Sequence, residues 1–276
     1  MKDFASYNYP IYFILAIYLG CSNPFNDTYV SKLESWPSGQ VARVLPVQGD
    51  VKLMTSLDIK NDAERMLENG YLLLGRSKFR ETQININEAK KFAREINASI
   101  VLVERKFADA VTEAVPINEW IPARQETLKS KSVVVSGPNA GKVIETEITK
   151  EIQGEFRTKY VPQTMEYYDY AATYWGKLKP PIFGVFVNRL DNESRQRLKS
   201  NRGVIVRAVI RDSPAFKADI IPNDIITSFA DQAITDIEQL FDLVLLNNGG
   251  TVDVEFIRDD VLKKIAIRLN EDRSGR

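Results

Sequence analysis

The feature that most constrains the fold is a regular series of short apolar runs separated by turn residues, between Ile182 and Leu269. Each run has the length and the Val/Ile/Phe content of a β-strand. The runs are GVFV (184–187), GVIVRAVI (203–210), DIITSFAD (224–231), VDVEFIR (252–258) and KKIAIRL (263–269). Closely spaced strands of this kind predict a small antiparallel sheet that curls into an open barrel.

Two helices are predicted between these strands. Ser213 is a preferred capping residue, and Pro214 suits the first position of a short helix. A longer helix from Asp236 to Leu246 has an apolar stripe on one side. Pro222 and Asn223 fit a type II turn, in which Asn takes the left-handed position.

In this region the chain resembles a PDZ domain of the kind found in the HtrA protease family. IFGV (182–185) stands in the place of the family's carboxylate-binding loop. GVIVRAVIRDSPAFKADI (203–220) and PNDIITSFADQAI (222–234) follow in the family's order. Asn223 replaces the usual Gly, and Ala230–Asp231 replaces an Asn-Gly turn, but both lie away from the expected groove.

The resemblance implies that an extended peptide adds as a strand beside the IFGV loop, which binds the peptide's C-terminal carboxylate. Backbone amides of the loop would hold that carboxylate, and an apolar pocket would hold the last side chain. Lys179, just upstream, could add a positive charge. Core packing is the alternative explanation for the apolar stripe of the helix from Asp236 to Leu246. The implied site consists of Ile182, Phe183, Gly184, Val185, Val187, Phe241 and Val244.

Composition excludes several classes of chemistry. Lys+Arg and Asp+Glu both number 37, so there is no basic excess to attract nucleic acid. The chain has no histidine, which excludes a Ser-His-Asp triad and histidine-ligated zinc. One cysteine, Cys21, excludes an internal disulfide and a thiolate zinc site. We therefore expect no metal and no cofactor.

The N-terminal residues predict an export signal. No charge occurs between Asp3 and Asp27, and the apolar run from Pro10 to Gly20 ends directly at Cys21. That run has the length of a signal-peptide core and is short for a membrane span. Residues 1–20 resemble a bacterial lipoprotein signal, with Gly20 before the cysteine that receives the lipid, although Tyr18 departs from the usual Leu.

This resemblance implies a lipid on Cys21 and a polar tether over residues 21–35. Ser22 favours sorting to an outer membrane, so the expected location is the bacterial cell envelope, facing the periplasm. A retained N-terminal anchor helix with an incidental cysteine is the alternative.

Residues 36–165 predict a small mixed α/β domain, which makes the whole chain α+β. Ser56 can cap a helix that carries Leu57 and ends at Gly70, and YLLLG (71–75) follows as a buried strand. Asn87 can cap a second helix before the strand SIVLVE (99–104). The order predicts a β-α-β unit.

Period-two alternation over residues 143–160 predicts one long strand with one wet face. Its predicted partner is SVVVS (132–136), with GPNAGK (137–142) as the hairpin loop. Gly137 and Gly141 enclose three residues, and Val143 follows Lys142, so this loop fails the phosphate-binding pattern.

Residues 166–181 contain five Tyr or Trp side chains and then Pro180–Pro181. We interpret the segment as a linker whose aromatic side chains pack the joint before a PDZ domain at 182–270. A sugar- or peptide-binding platform is the alternative for this cluster.

Two functions are compatible with these features. The first is a non-enzymatic, membrane-anchored protein that binds protein C-termini or unfolded segments. The second is a protease, or a regulator of one, in the cell envelope. The missing histidine opposes an HtrA-type enzyme, and only seven residues follow Leu269, where a tail-specific protease would have its catalytic domain.

Overall fold

A computed structural model describes residues 23–272 of the chain. The predicted signal peptide and Cys21 lie outside the described residues. Internal contacts divide the chain into two compact units, one formed by residues 107–167 and the other by the segments on either side of it. Among residues 23–272, no helix has the length and apolar character needed to cross a membrane.

The first part of the larger unit is a five-stranded sheet with strand order β1-β3-β7-β4-β2. Strands β2 and β4 are parallel, whereas β3 pairs antiparallel with β7. The strands are β1 (Val30–Ser31), β2 (Lys52–Thr55), β3 (Tyr71–Glu81), β4 (Ile100–Ile121) and β7 (Glu155–Lys177). The end of β4 from residue 107 and the start of β7 up to residue 167 belong to the smaller unit. The helices are α1 (Pro24–Asp27), α2 (Ser38–Val41), α3 (Ile59–Glu68) and α4 (Asn87–Glu95), with a 3-10 turn at Leu33–Ser35.

The predicted β-α-β unit is present as β3, α4 and β4, but β7 lies between its two strands. Helix α3 also begins later than predicted. Its cap is Asp58, whose carboxylate accepts hydrogen bonds from the amides of Lys60 and Asn61. Ser56 directly follows the end of β2, where its amide donates to the Val103 carbonyl and its hydroxyl to Asp62. Leu57 is consequently exposed.

The prediction that residues 166–181 form a linker was wrong for most of that segment. Residues 166–177 are the last part of β7, which is hydrogen-bonded on both sides in the sheet. Tyr170, Tyr174 and Trp175 are fully buried. Tyr174 and Trp175 belong to two different hydrophobic clusters, one on each face of the sheet. The domain that was predicted to cover residues 36–165 therefore extends to Lys177. It also begins earlier, because the described part of the predicted tether contains β1, which pairs with β3, and the fully buried Phe25.

The smaller unit contains a two-stranded antiparallel hairpin of β5 (Arg124–Val133) and β6 (Val143–Ile152). A hairpin was predicted here, but its first strand lies earlier in the chain than the predicted 132–136, and the loop covers residues 134–142 instead of 137–142. The predicted single strand over 143–160 is interrupted at residues 153–154. Gly154 permits this break, because a Cβ there would lie 2.4 Å from the Trp120 ring. Both faces of the hairpin are exposed, including Leu128 and Ile148, which lie opposite each other.

The C-terminal module has a sheet of order β13-β12-β10-β9-β8, with β11 paired to β10, and the sheet does not close into a barrel. Its strands are β8 (Val185–Arg189), β9 (Val204–Val209), β10 (Ile225–Phe229), β11 (Gln232–Ala233), β12 (Thr251–Arg258) and β13 (Val261–Arg268). Its helices are α5 (Asn192–Leu198), α6 (Pro214–Lys217) and α7 (Ile237–Leu246). Ser213 caps α6 as predicted. Asp236, which was predicted as the first residue of the longer helix, is the cap of α7.

Three local features of the module confirm the prediction, differ from it or extend it. Helix α5 was not predicted, because the segment NESRQRL has one apolar residue and no stripe. Asp191 starts it by accepting a hydrogen bond from the Ser194 amide. Asn223 has φ 74°, which matches the predicted left-handed turn position. Ala230 and Asp231 both have positive φ and close the β10–β11 hairpin.

One hydrophobic cluster joins this module to the five-stranded sheet. Phe186, Ala208 and Ile210 pack with Leu67 and Trp175, and Phe186 is fully buried. Ion pairs at 2.9 Å flank the cluster, between Arg207 and Glu64 and between Arg211 and Glu68. The side chain of Phe186 therefore fixes β8 to the sheet domain through one face, and the edge of β8 is left for other contacts.

Candidate functional site

The candidate site is the groove between the edge of β8 and helix α7. Strand β8 is the last in its sheet, so β9 occupies one of its edges. The Ile210 amide donates to the Gly184 carbonyl at 2.8 Å, which directs that carbonyl toward β9. Successive carbonyls of an extended chain point in opposite directions, so the Val185 carbonyl faces the free edge. An additional strand would pair with this edge.

The carbonyl groups of the loop before β8 accept hydrogen bonds from other parts of the module. The carbonyl of Ile182 accepts from the Asn270 amide at 3.0 Å, and that of Phe183 accepts from the Ala215 amide at 2.9 Å. With the Gly184 carbonyl bound to β9, three consecutive carbonyls are directed into the module. Across residues 23–272, the amides of Phe183 and Gly184 donate no hydrogen bond. Consecutive free amides of this kind form an anion-binding concavity.

Gly184 is required by the loop for two reasons. Its φ of 100° lies in a region that residues with a side chain rarely adopt. A Cβ at this position would also lie 2.2 Å from the Cβ of Ser213. Ser213 itself is fixed, because its hydroxyl accepts from the Phe216 amide at 3.2 Å as the cap of α6.

Helix α7 forms the other wall of the groove. Asp236 starts this helix by accepting a hydrogen bond from the Gln239 amide at 2.9 Å. That hydrogen bond holds the pKa of the Asp236 carboxyl below its usual value. The helix buries Leu240, Leu243 and Val244 against the module core. Core packing therefore explains part of the apolar stripe, as the alternative interpretation proposed.

Six of the seven predicted site residues line a single cavity at the loop end of the groove. These are Ile182, Phe183, Gly184, Val185, Phe241 and Val244. Val187 does not line it and lies instead in the module core. The cavity volume is about 50 Å³, which has room for a few water molecules.

The sequence analysis missed three residues that line the same cavity from α2 and the segment after it. They are Gly39, Gln40 and Arg43. Gln40 is buried, and its side-chain amide donates to the Val185 carbonyl at 3.5 Å. No local pattern could have placed them here, because 145 positions separate Gln40 from Val185 in the chain.

Two cationic side chains lie at the loop end of the cavity. Lys179 lines it, as the sequence suggested, and its amide donates to the Arg43 carbonyl at 2.9 Å. The Arg43 guanidinium pairs with Asp272 at 3.0 Å and donates to the Pro180 carbonyl at 2.7 Å. These cations make the surroundings of the loop amides favourable for a carboxylate.

The family comparison agrees with this geometry. Residues 181–269 match the family model of the PDZ domain. These residues form a PDZ domain. PDZ domains are binding modules that accept peptides along a sheet edge. A comparison with curated proteins found no relative of this chain.

Solved structures similar to the chain include the HtrA-type protease AlgW with a decapeptide, at 18% identity over 36% of each chain and a TM-score of 0.29. AlgW with a tripeptide is similar at 18% identity over 36% of this chain and 39% of that chain, with a TM-score of 0.31. The chain thus spans less than two-fifths of these protease chains. A PDZ domain protein from Parabacteroides distasonis matches at 11% identity over 90% of this chain and 70% of that chain, with a TM-score of 0.20.

Proposed function

We propose that this protein is a non-enzymatic binding protein whose PDZ groove captures protein C-termini. The observation that carries the proposal is the pair of free amides, Phe183 and Gly184, beside the free edge of β8. Donors in this position suit a carboxylate at the end of an added strand. The absence of histidine from the sequence also favours binding over triad-type hydrolysis.

The bound peptide would pair as an antiparallel strand with the free edge of β8. Its terminal carboxylate would accept hydrogen bonds from the amides of Phe183 and Gly184, with Lys179 and Arg43 nearby. Its last side chain would enter the apolar part of the groove, between Val185 on the strand and Phe241 and Val244 on α7. Since aliphatic and aromatic groups line this part, an apolar terminal residue is the expected ligand.

The proposal extends to location. A lipid on Cys21 would hold the PDZ domain at the periplasmic face of a bacterial outer membrane. The apolar run that ends at Gly20–Cys21 supports this assignment. Mass spectrometry of the mature N-terminal peptide tests it. An acylated peptide beginning at Cys21 is expected, and an intact unmodified N-terminus would contradict lipidation.

A role as a regulator of a separate protease would use the same groove. In that case the captured C-terminus would belong to the protease or to its substrate. The binding experiment below applies to both versions of the proposal, because it depends on the groove and not on the identity of the partner.

The experiment uses the chain from residue 22 onward and a pool of fluorescent decapeptides ending in Val, Leu or Phe. Binding that is lost when the terminal carboxylate is amidated supports the proposal. Phe241→Ala should weaken binding about tenfold, because one apolar contact of the terminal side chain is removed. Leu246→Ala on the same helix is the matched control, since Leu246 is 77% exposed and does not line the cavity.

A further inference from the structure

Helix α2 lies across the carboxylate end of the groove and contacts both of its walls. We propose that residues 37–42 form an autoinhibitory cover, which must leave the groove before a C-terminus can bind. This inference rests on the proposed function, because it concerns access to the same site. Its argument comes from the contacts of Gln40, from the loop amides and from the way the cover is attached.

The cover uses a backbone group that a ligand needs. Gln40 is 6% exposed, and its side-chain amide donates to the Val185 carbonyl. That carbonyl faces the free edge of β8, where the last residue of a bound peptide would donate its own amide. Gln40 and the end of a bound peptide therefore compete for one acceptor.

The cover also occupies space between the strand and the helix. Gly39 lies close to α7, since a Cβ at this position would be 3.7 Å from the Leu245 side chain. The space that remains in the cavity is about 50 Å³. A terminal residue with its carboxylate is larger than a few water molecules. The proposal is therefore that α2 moves when such a residue enters the groove.

The closed arrangement leaves the carboxylate-binding donors unused. Within residues 23–272, the cover supplies no acceptor to the amides of Phe183 and Gly184. Buried amides without a hydrogen-bond acceptor cost free energy, so the closed state has two donors whose hydrogen bonds are not made. A carboxylate would satisfy both amides at once. This difference allows a C-terminus to displace the cover.

The cover is short and is held at both ends. Upstream, the Trp36 indole donates to the Leu73 carbonyl at 2.9 Å and its ring packs on Phe186. Downstream, the Leu45 amide donates to the Lys177 carbonyl at 2.7 Å. The four-residue helix between them has no side-chain hydrogen bond at its Pro37 cap. So short a helix has little stability of its own, and it can open while its ends stay in place.

The test measures peptide affinity for the wild type and for four variants. Each protein lacks only the predicted signal. Gln40→Ala should bind free-carboxylate peptides about 3- to 10-fold more tightly than wild type, because one hydrogen bond of the closed state is lost. Gln125→Ala is the matched control, since Gln125 is exposed on β5. Gly39→Gln should also tighten binding by forcing α2 from Leu245. Ser38→Gln, on the exposed side of α2, should not.

Hydrogen exchange provides a second measurement that does not depend on a substitution. The amides of Val41 and Ala42 are bonded to the carbonyls of Pro37 and Ser38 in α2. Saturating peptide should make these two amides exchange faster in the wild-type chain. Retained protection in the peptide complex would overturn the inference.

The two proposals fail in different ways. If no variant binds carboxylate peptides at concentrations up to about 1 mM, the proposed function is wrong. If wild type and all four variants bind with the same affinity, or if Gln40→Ala weakens binding, the groove is a binding site but α2 is not a cover. Circular dichroism of each variant confirms that the chain is folded.

Discussion

The backbone at Gly184 gives the most specific prediction about the PDZ loop, namely the effect of Gly184→Ala. The glycine has φ 100°, and its position faces Ser213. The substitution adds one methyl group and no charge. Any loss of stability or of binding must therefore come from the loop geometry itself.

Two contributions lower the stability of the Gly184→Ala variant, and their free energies add. A side chain at this φ costs about 1 to 3 kcal/mol of backbone strain. The new Cβ would also lie 2.2 Å from the Ser213 Cβ, so the loop or α6 must shift. Overpacking of this kind costs about 1 to 3 kcal/mol. We expect Gly184→Ala to lower the free energy of unfolding by about 2 to 6 kcal/mol.

Ser213→Gly separates the two costs. Glycine is tolerated at a helix N-cap, so this variant alone should lose only a few tenths of a kcal/mol, about 0.3. In its background the steric contact is gone, and Gly184→Ala should cost only the backbone strain, about 1 to 3 kcal/mol. Urea unfolding followed by circular dichroism measures all four members of this double-mutant cycle.

Two outcomes of the double-mutant cycle would contradict the predicted costs. An equal cost of Gly184→Ala in both backgrounds would show that the Ser213 contact is not strained. A cost below about 1 kcal/mol in the wild-type background would refute the backbone argument as well. Peptide affinity should fall together with stability, because the amides of Phe183 and Gly184 move with the loop.

Three further predictions concern other parts of the larger unit. Arg258→Ala should lower the free energy of unfolding by about 3 to 5 kcal/mol, because it leaves the buried Asp224 carboxylate without its cation. Asp236→Ala should lower it by about 1 kcal/mol through loss of the α7 cap and should weaken peptide binding. Burial raises the pKa of Tyr174 to about 12, so the stability that its neutral phenol contributes is intact below pH 10 and is lost as the pH rises toward about 12. Tyr174→Phe should remove this part of the alkaline loss.

Urea unfolding measures each of these effects, and each has a control. Arg268→Ala on the exposed side of β13 is the control for Arg258, and equal losses would contradict the buried ion pair. Asp236→Asn should retain most of the cap, since Asn also accepts the amide hydrogen bond. If Tyr174→Phe and wild type lose stability in parallel between pH 9 and pH 12, the phenol is not the group that titrates.

The sequence was most informative where structure is set by neighbouring residues. The cap at Ser213 and the left-handed Asn223 were predicted because each uses hydrogen bonds or dihedral angles within a few positions. The IFGV loop was placed by the resemblance to the PDZ family. Helix α5 was missed, because its one apolar residue gives no periodic signal.

The aromatic segment was misinterpreted because its burial depends on distant strands. Tyr170, Ala172 and Tyr174 alternate as in a strand, which the sequence shows. Their place in the middle of a sheet depends on β3, about 95 positions earlier, with which β7 pairs. Local alternation indicates a strand, but it does not show which strands will flank it.

The groove also depends on distant residues that local sequence does not reveal. The residues of the PDZ loop and of α7 were predicted from the resemblance to the PDZ family, yet the state of the groove depends on Gln40, which has no motif of its own. A four-residue helix is determined by what it packs on rather than by its propensity. Because Phe186 anchors β8 to Trp36 as well as to the sheet, the packing that positions the PDZ domain also brings α2 to its groove. Access to the groove is therefore a property of the larger unit as a whole, and the PDZ sequence alone could not have revealed it.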